Sequence, residues 1–340
     1  MGKNLIVTIL AFFLVSCGKR PTTQWQFNKG RAHGTFYSVA YEYSYDLQSS
    51  IDSVTSSIDQ SLSTFLKESI ISRINDGDTT VILDSQFIEV FDKAKIIWQN
   101  TYGAFDITVA PLVNAWGFGY APEKSVSQQK IDSIKQWVGM EKVSRAGNRL
   151  ILSQRGIKLD ASAIAKGYSV DRVAHFFETK GINNYMVEIG GEVRVKGKNS
   201  HNKPWRIGIE APIESTMISE QRELESIVNI TGGAIATSGN YRQFYYKDGK
   251  KYAHTIDPKS GYPVQHQLLS ATVYADDCMT ADAYATAFMV LGLEKSYELA
   301  TQLNGIEAYF IFTDSTNLIK TKMTTGFTRF LNAEDLPKLQ

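Results

Sequence analysis

YRQFYYKDGKKYAHTI, residues 241–256, reads as two short strands turning at Asp248-Gly249, and this hairpin signal decides the fold class. A strand-like run at Leu268–Tyr274 follows and leads into a helix that carries Asp282. Upstream, GTFYSVAYEYSY (34–45) alternates large apolar with small or polar residues, the period of a half-buried strand. A helix is expected over Leu47–Phe65, with Ile51, Val54, Ile58, Leu62 and Phe65 on one stripe, and another over Ser85–Asn100 with Phe87, Val90, Phe91, Ala94, Ile97 and Trp98 facing inward. Further helices are read over 127–138, 162–180 (stopped by Gly181) and 295–303. The remaining strands fall at 149–153, 157–160, 185–195 around Gly190-Gly191, 205–210, 226–231 and 308–312. Helices and strands do not alternate as a doubly wound parallel sheet requires, and the hairpin signals favour antiparallel pairing. The class is therefore α+β.

The start of the chain carries a different signal. An apolar run from Leu5 to Val15 covers about half of the ~20 residues a membrane-spanning helix needs, which makes residues 1–16 a secretory signal rather than an anchor. Leu14-Val15-Ser16-Cys17 resembles the lipobox of bacterial lipoproteins. That resemblance implies cleavage before Cys17, a lipid on its thiol, a tether over 17–30 and one functional domain over 31–340, held to a membrane on the extracytoplasmic side of a bacterial envelope. In a Gram-negative cell this is expected to be the inner membrane. The other cysteine is Cys278, so a lipidated Cys17 leaves no intramolecular disulfide. With 36 basic against 35 acidic residues, a net charge of +1 and no basic stripe, the chain has no electrostatic footprint for nucleic acid.

Three segments carry candidate chemistry. In MTADAYATAFMVLG (279–292), Asp282 and Thr286 lie four residues apart, on one face of the expected helix, and a carboxylate beside a hydroxyl suits a hard cation such as magnesium. The segment KLDASAIAKGYSVD (158–171) puts Asp160 and Ser162 where a helix begins, with Lys166 one turn in; it suits either a phosphate held by backbone N–H groups or simple capping. GAFDITVAPLVNAWGFGY (103–120) is either a wall for a flat aromatic ligand, with Ala104, Phe105 and Asp106 against it, or a buried crossover. Five histidines are scattered without zinc-ligand spacing, and His254, just before the Asp257-Pro258 turn, is the one acid or base candidate.

Taken together, HGTFY (33–37), GAFDITVAPLVNAWGFG (103–119), LDASAIAKGYSVD (159–171), VEIGGEVRVKG (187–197), WRIGIEAP (205–212), AIATSGNYRQFY (234–245), AHTIDPKSGYPVQH (253–266) and MTADAYATAFMVLG (279–292) resemble, in order, the ApbE family of FAD:protein FMN transferases. The resemblance implies an α+β fold related to the T-fold, with two αβ lobes and the active site between them. FAD is then the substrate, Mg2+ the cofactor, and the FMN half passes through a phosphoester bond to a Thr or Ser of an acceptor protein, with AMP released. The acceptor class it implies is a membrane redox subunit. By the same resemblance the metal is held by Asp282, Thr286, a carbonyl at Ala163 and one near Ala285. FAD contacts fall on His33, Phe65, Ala104, Phe105, Asp106, Asp160, Lys166 and Ile256, while His254 is the base with Asp257 close by. His33 stands where many members have Met, and Ala285 lacks the side-chain oxygen some members offer. Two other readings use the same residues: a magnesium-dependent FAD diphosphatase, with water replacing the acceptor hydroxyl, and a non-catalytic flavin-binding lipoprotein.

Overall fold

The computed structural model describes residues 23–120, 126–212, 224–241, 244–247 and 249–332; Cys17 with its leader, and Asp248 of the expected turn, lie outside them. The described chain opens with a hairpin of β1 (Gln24–Ala32) and β2 (Thr35–Tyr43). His33 and Gly34 make its two-residue turn, with φ of 52° and 74°, the geometry that matches the twist of the flanking strands. Residues 24–30 are thus strand and not tether, which corrects the expectation from sequence. Their polar composition reflects an edge position: Lys29 and Arg31 point to solvent, while buried Asn28 accepts a 2.7 Å hydrogen bond from Tyr41.

Helices α1 (Gln48–Leu62), α2 (Ile70–Asn75) and α3 (Ser85–Asn100) follow. The first stops short of its expected end because the Ser63 carbonyl accepts from the hydroxyls of Ser69 and Ser72, which turns the chain away. Phe65 therefore leaves the apolar stripe and stands 80% exposed. Next come α4 (Ala110–Ala115), α5 (Gln128–Lys135), the hairpin of β3 (Val143–Ala146) and β4 (Arg149–Leu152), and α6 (Ala165–Thr179). No strand forms over 157–160. There the Asn75 side chain does the work of a neighbouring strand, accepting from Leu159 N–H at 2.7 Å and donating to its carbonyl at 2.8 Å.

The second part comprises β5 (Tyr185–Ile189), β6 (Glu192–Lys196), the hairpin of β7 (Trp205–Glu210) and β8 (Leu224–Ile230), and β9 (Gly232–Gly239). After these run β10 (Phe244–Lys247), β11 (Lys250–Ala253), β12 (Leu268–Ala275), α7 (Cys278–Leu291), α8 (Leu293–Gln302), β13 (Glu307–Thr313) and β14 (Ile319–Met323). Eight of these strands form one sheet in the order β1-β2-β5-β6-β9-β12-β13-β14, every pair antiparallel and in chain order. The α+β class follows directly. Two αβ halves share the sheet: α1 and α6 cover the first through Tyr41, Val173, Phe177 and Val187, and α3, α7 and α8 cover the second through Phe91, Val273, Phe288 and Phe310. They join where β6 pairs with β9, Val193 opposite Ile235. On the other face, Trp205, Val228, Tyr309 and Phe327 form a separate core.

Candidate active site

At the seam between the halves lies a cavity of about 580 Å³, within the size range of small-molecule sites. His33, Lys166 and Glu192 line it from the first half, and Thr237, Ser238, Asp282 and Thr286 from the second. Of the residues expected at the site, Phe65, Ala104, Phe105, Asp106, Asp160, Ala163, His254 and Ile256 line it as well; Asp257 and Ala285 do not. Asp257 is occupied in its own turn, where its carboxylate accepts from the N–H groups of Lys259 at 2.9 Å and Ser260 at 3.2 Å. Ala285 is fully buried in α7, among the apolar residues of the second half's core.

The floor is made where α6 and α7 meet. Asp277 caps α7 by accepting from Thr280 N–H, and Asp171 accepts from the N–H groups of Cys278 and Met279, so α7 is fixed at its start. One turn further in, Asp282 is almost fully buried and its Oδ2 accepts from the Gly167 N–H at 2.9 Å. Burial pushes the Asp282 carboxyl up, against the opposing pull of Lys166 and Gly167. Thr286 sits on the same face, its hydroxyl 3.1 Å from the Ser238 hydroxyl. A buried carboxylate with a single hydrogen-bond donor among the described residues, next to hydroxyl oxygens and the Ala163 segment, is a donor set that fits a hard oxygen-seeking cation.

Lys166 reaches across to Glu192 Oε1 at 2.5 Å. Burial works against the Lys166 charge, yet the carboxylates of Glu192 and Asp282 hold its ammonium above its usual value. Burial likewise pushes Glu192 up to about 7, opposed by Lys166. Asp160 does not cap α6; its Oδ1 accepts from the N–H and hydroxyl of Ser162 in a turn that precedes the helix.

The segment over 103–120 is both wall and core. Leu112 and Ala115 are buried in the core, while Ala104, Phe105, Ile107 and Phe118 line the cavity. Asp106 spends its carboxylate on structure, accepting from Thr108 N–H at 2.7 Å and Met140 N–H at 3.1 Å, and burial pushes it up to about 6. Phe118 stacks on Tyr245, Tyr245 on Tyr252 and Tyr252 on Trp116, which seats the β10–β11 hairpin against this segment. His254 follows β11 directly, half-buried, with its ring edge-on to Phe118 at 6.4 Å. His33 also lines the cavity, but its ring nitrogens are engaged with Asp59 Oδ1 at 2.8 Å and the Ser169 hydroxyl at 2.7 Å, so it offers ring and backbone rather than a free nitrogen.

Sequence reasoning did not single out Glu192, Thr237 or Ser238. A signal for Glu192 is present in EVRVK: Val193 and Val195 face one core, so Glu192, Arg194 and Lys196 must share the face that α6 covers.

Comparison with known proteins gives this fold a family. The model of the ApbE family matches residues 33–310. The chain is 35% identical to a FAD:protein FMN transferase of Haemophilus influenzae over 98% of both chains, and 33% identical to that of Escherichia coli K12 over 95% and 96%. It is also similar to the crystal structure of the flavin transferase ApbE from Vibrio cholerae, at a TM-score of 0.81 and 35% identity, covering 91% of this chain and all of that one. The apo flavinyl transferase ApbE of Pseudomonas stutzeri gives a TM-score of 0.80 at 32% identity, with 92% and 98% covered.

Proposed function

This chain belongs to the ApbE family and is a flavin transferase, and from that premise we propose that it takes FAD as substrate with magnesium and passes the FMN half to a Thr or Ser hydroxyl of an acceptor protein. The observation that carries this reading is the single cavity lined together by Lys166, Asp282, Thr286 and His254. In the reaction the acceptor oxygen bonds to the FMN phosphorus, the bond from that phosphorus to the bridging oxygen breaks, and AMP leaves with the bridging oxygen. Asp282 and Thr286 would hold the cation, with the Ala163 carbonyl beside them. Bound there, magnesium would supply charge neutralisation on the phosphoryl oxygens. Lys166 adds positive charge from the first turn of α6, a position suited to phosphate. His254 takes the acceptor's proton, a task that suits an imidazole near neutral pH. Phe105, Phe118 and Ile256 provide apolar wall for the flavin ring. Asp257 fixes the turn after His254 and so serves its placement.

Incubating the purified protein with FAD, magnesium and an acceptor protein, with AMP followed by chromatography and the acceptor by intact mass, tests this reading. Acceptor gaining the mass of an FMN phosphoester together with AMP is the expected result. FMN and AMP without a modified acceptor would mean hydrolysis by water in the same site, and unchanged FAD would mean binding alone.

We further place the domain at the outer face of the membrane through a lipid on Cys17, because the apolar run ends at Leu-Val-Ser-Cys. Among the described residues no helix is long and apolar enough to cross a membrane. Cys17→Ser should move the protein from the membrane fraction to the soluble one with its turnover intact, and unchanged fractionation would refute the anchor.

A further inference from the structure

Ion pairs from three residues of β6 fasten it to α6. Lys196 meets Glu178 at 3.3 Å, Arg194 meets Asp171 at 2.6 Å, and Glu192 meets Lys166 at 2.5 Å. The first two lie away from the cavity and set the register of helix on strand. The third opens into the cavity, and it is the odd one: Glu192 is 3% exposed, its Oε1 accepts from Lys166, and its Oε2 is buried with no hydrogen-bond partner among the described residues. Asp282 is close enough for its charge to act on both. Two buried carboxylates therefore compete for one ammonium, and Lys166 pairs with Glu192. Gly190 helps the lysine reach that side, since a Cβ there would stand 3.4 Å from Lys166 Cδ and 2.8 Å from the Thr35 methyl.

From this arrangement we propose that Glu192 is a positioning residue that holds the Lys166 ammonium away from Asp282, leaving the Asp282 carboxylate free for the cation. The inference rests on the reading above in which Asp282 is a metal ligand. An ammonium and a divalent cation cannot both neutralise the same carboxylate without repelling each other, and in a buried site that repulsion is poorly screened. Remove the charge at 192, and Asp282 becomes the remaining carboxylate that Lys166 can reach. The cation would then have to displace an internal ion pair before it could bind. With Glu192 in place, the lysine sits beside the cation site and adds its charge to the phosphate region instead.

The test is a titration of the full chain with Mn2+ alone, followed by electron paramagnetic resonance, with Mg2+ as competitor and no flavin present. Glu192→Gln should weaken binding by about tenfold or more, equivalent to about 1.4 kcal/mol. Adding Lys166→Met to that variant should restore affinity to within a few-fold of the parent, because the competing ammonium is gone, although turnover stays low without the lysine. Glu192→Ala takes the place of the Gln variant should that one not fold. Unchanged affinity in Glu192→Gln overturns the proposal, and so does a double variant as weak as the single one, since a ligand or a purely structural role for Glu192 predicts no rescue. Asp282→Asn is run alongside: if it binds Mn2+ like the parent, the metal reading of Asp282 fails and the proposal with it. A weakened Asp282→Asn beside an unaffected Glu192→Gln defeats the proposal alone.

Discussion

Gly167 donates its backbone N–H to Asp282 Oδ2 at 2.9 Å, and the same glycine has no room for a side chain: a Cβ there would lie 2.3 Å from the Cys278 carbonyl oxygen and 2.8 Å from Asp282 Cβ. The early N–H groups of a helix have no partner within it, and α6 spends one of them on the carboxylate of its neighbour. Close approach and hydrogen bond require each other.

Replacing Gly167 with Ala is therefore expected to destabilise the fold by about 1–3 kcal/mol, the usual cost of forcing an extra carbon into a packed interior. Helix propensity alone predicts the opposite, a gain of about 1 kcal/mol. Thermal unfolding decides the sign. The variant should also need more magnesium for half-maximal activity, because separating the helices removes the donor that orients Asp282.

Asp282→Asn removes one charge at nearly constant size and should raise the magnesium requirement, lowering transfer and any FAD hydrolysis together, since both reactions need the same phosphoryl charge neutralised. Thr286→Val should act in the same direction more mildly. Activity is measured against magnesium concentration at matched folded fraction. A curve unshifted by Asp282→Asn, with only a modest loss of stability, would leave Asp282 a structural residue.

The elements that the sequence displays most clearly are those whose apolar period and cap agree. Helix α3 runs over Ser85–Asn100 as read, with Asp84 accepting from Phe87 N–H at its start. Asp282 and Thr286 were legible for the same reason, since four-residue spacing on a helix is local information. The misreadings involve partners outside the stretch being read. Strand β1 looks like a linker because one of its faces is solvated and its pairing is set by β2. Phe65 fits an apolar stripe by spacing, but hydroxyls of Ser69 and Ser72 end the helix before it. Glu192 reads as a surface charge in a strand until α6 brings Lys166 over it. Complementarity between a helix and a strand 26 residues apart is not written in either alone.

Asp106 should leave a mark on the pH dependence of stability. Its folded value of about 6 lies above its ordinary value of 3.8, so between the two the folded protein holds a proton that the unfolded chain releases. Its contribution is therefore complete below about pH 4 and lost as the pH rises through 6, on the order of 1–3 kcal/mol from a shift of this size. Unfolding midpoints from pH 4.5 to 7.5 should show the loss, and Asp106→Asn should flatten that part of the profile. The variant should also be less stable throughout the acidic range, since an amide nitrogen in place of Oδ2 would face the Met140 N–H. A profile of Asp106→Asn parallel to that of the parent would assign the slope to other groups.

His254 lines the cavity beside Phe118, where an acceptor segment entering past that ring would meet it. A base acts only once there is a hydroxyl to deprotonate, so His254→Ala should keep FAD affinity within a few-fold while transfer falls by about 10²-fold or more, in the range found for loss of a general base. The fold should tolerate the change, because the stack of Phe118, Tyr245, Tyr252 and Trp116 seats the hairpin without the imidazole. Equilibrium binding of FAD to the folded variant, set beside single-turnover transfer to the acceptor, separates the two effects. If FAD affinity drops as far as transfer does, His254 belongs to the flavin pocket and the proton must leave by another group.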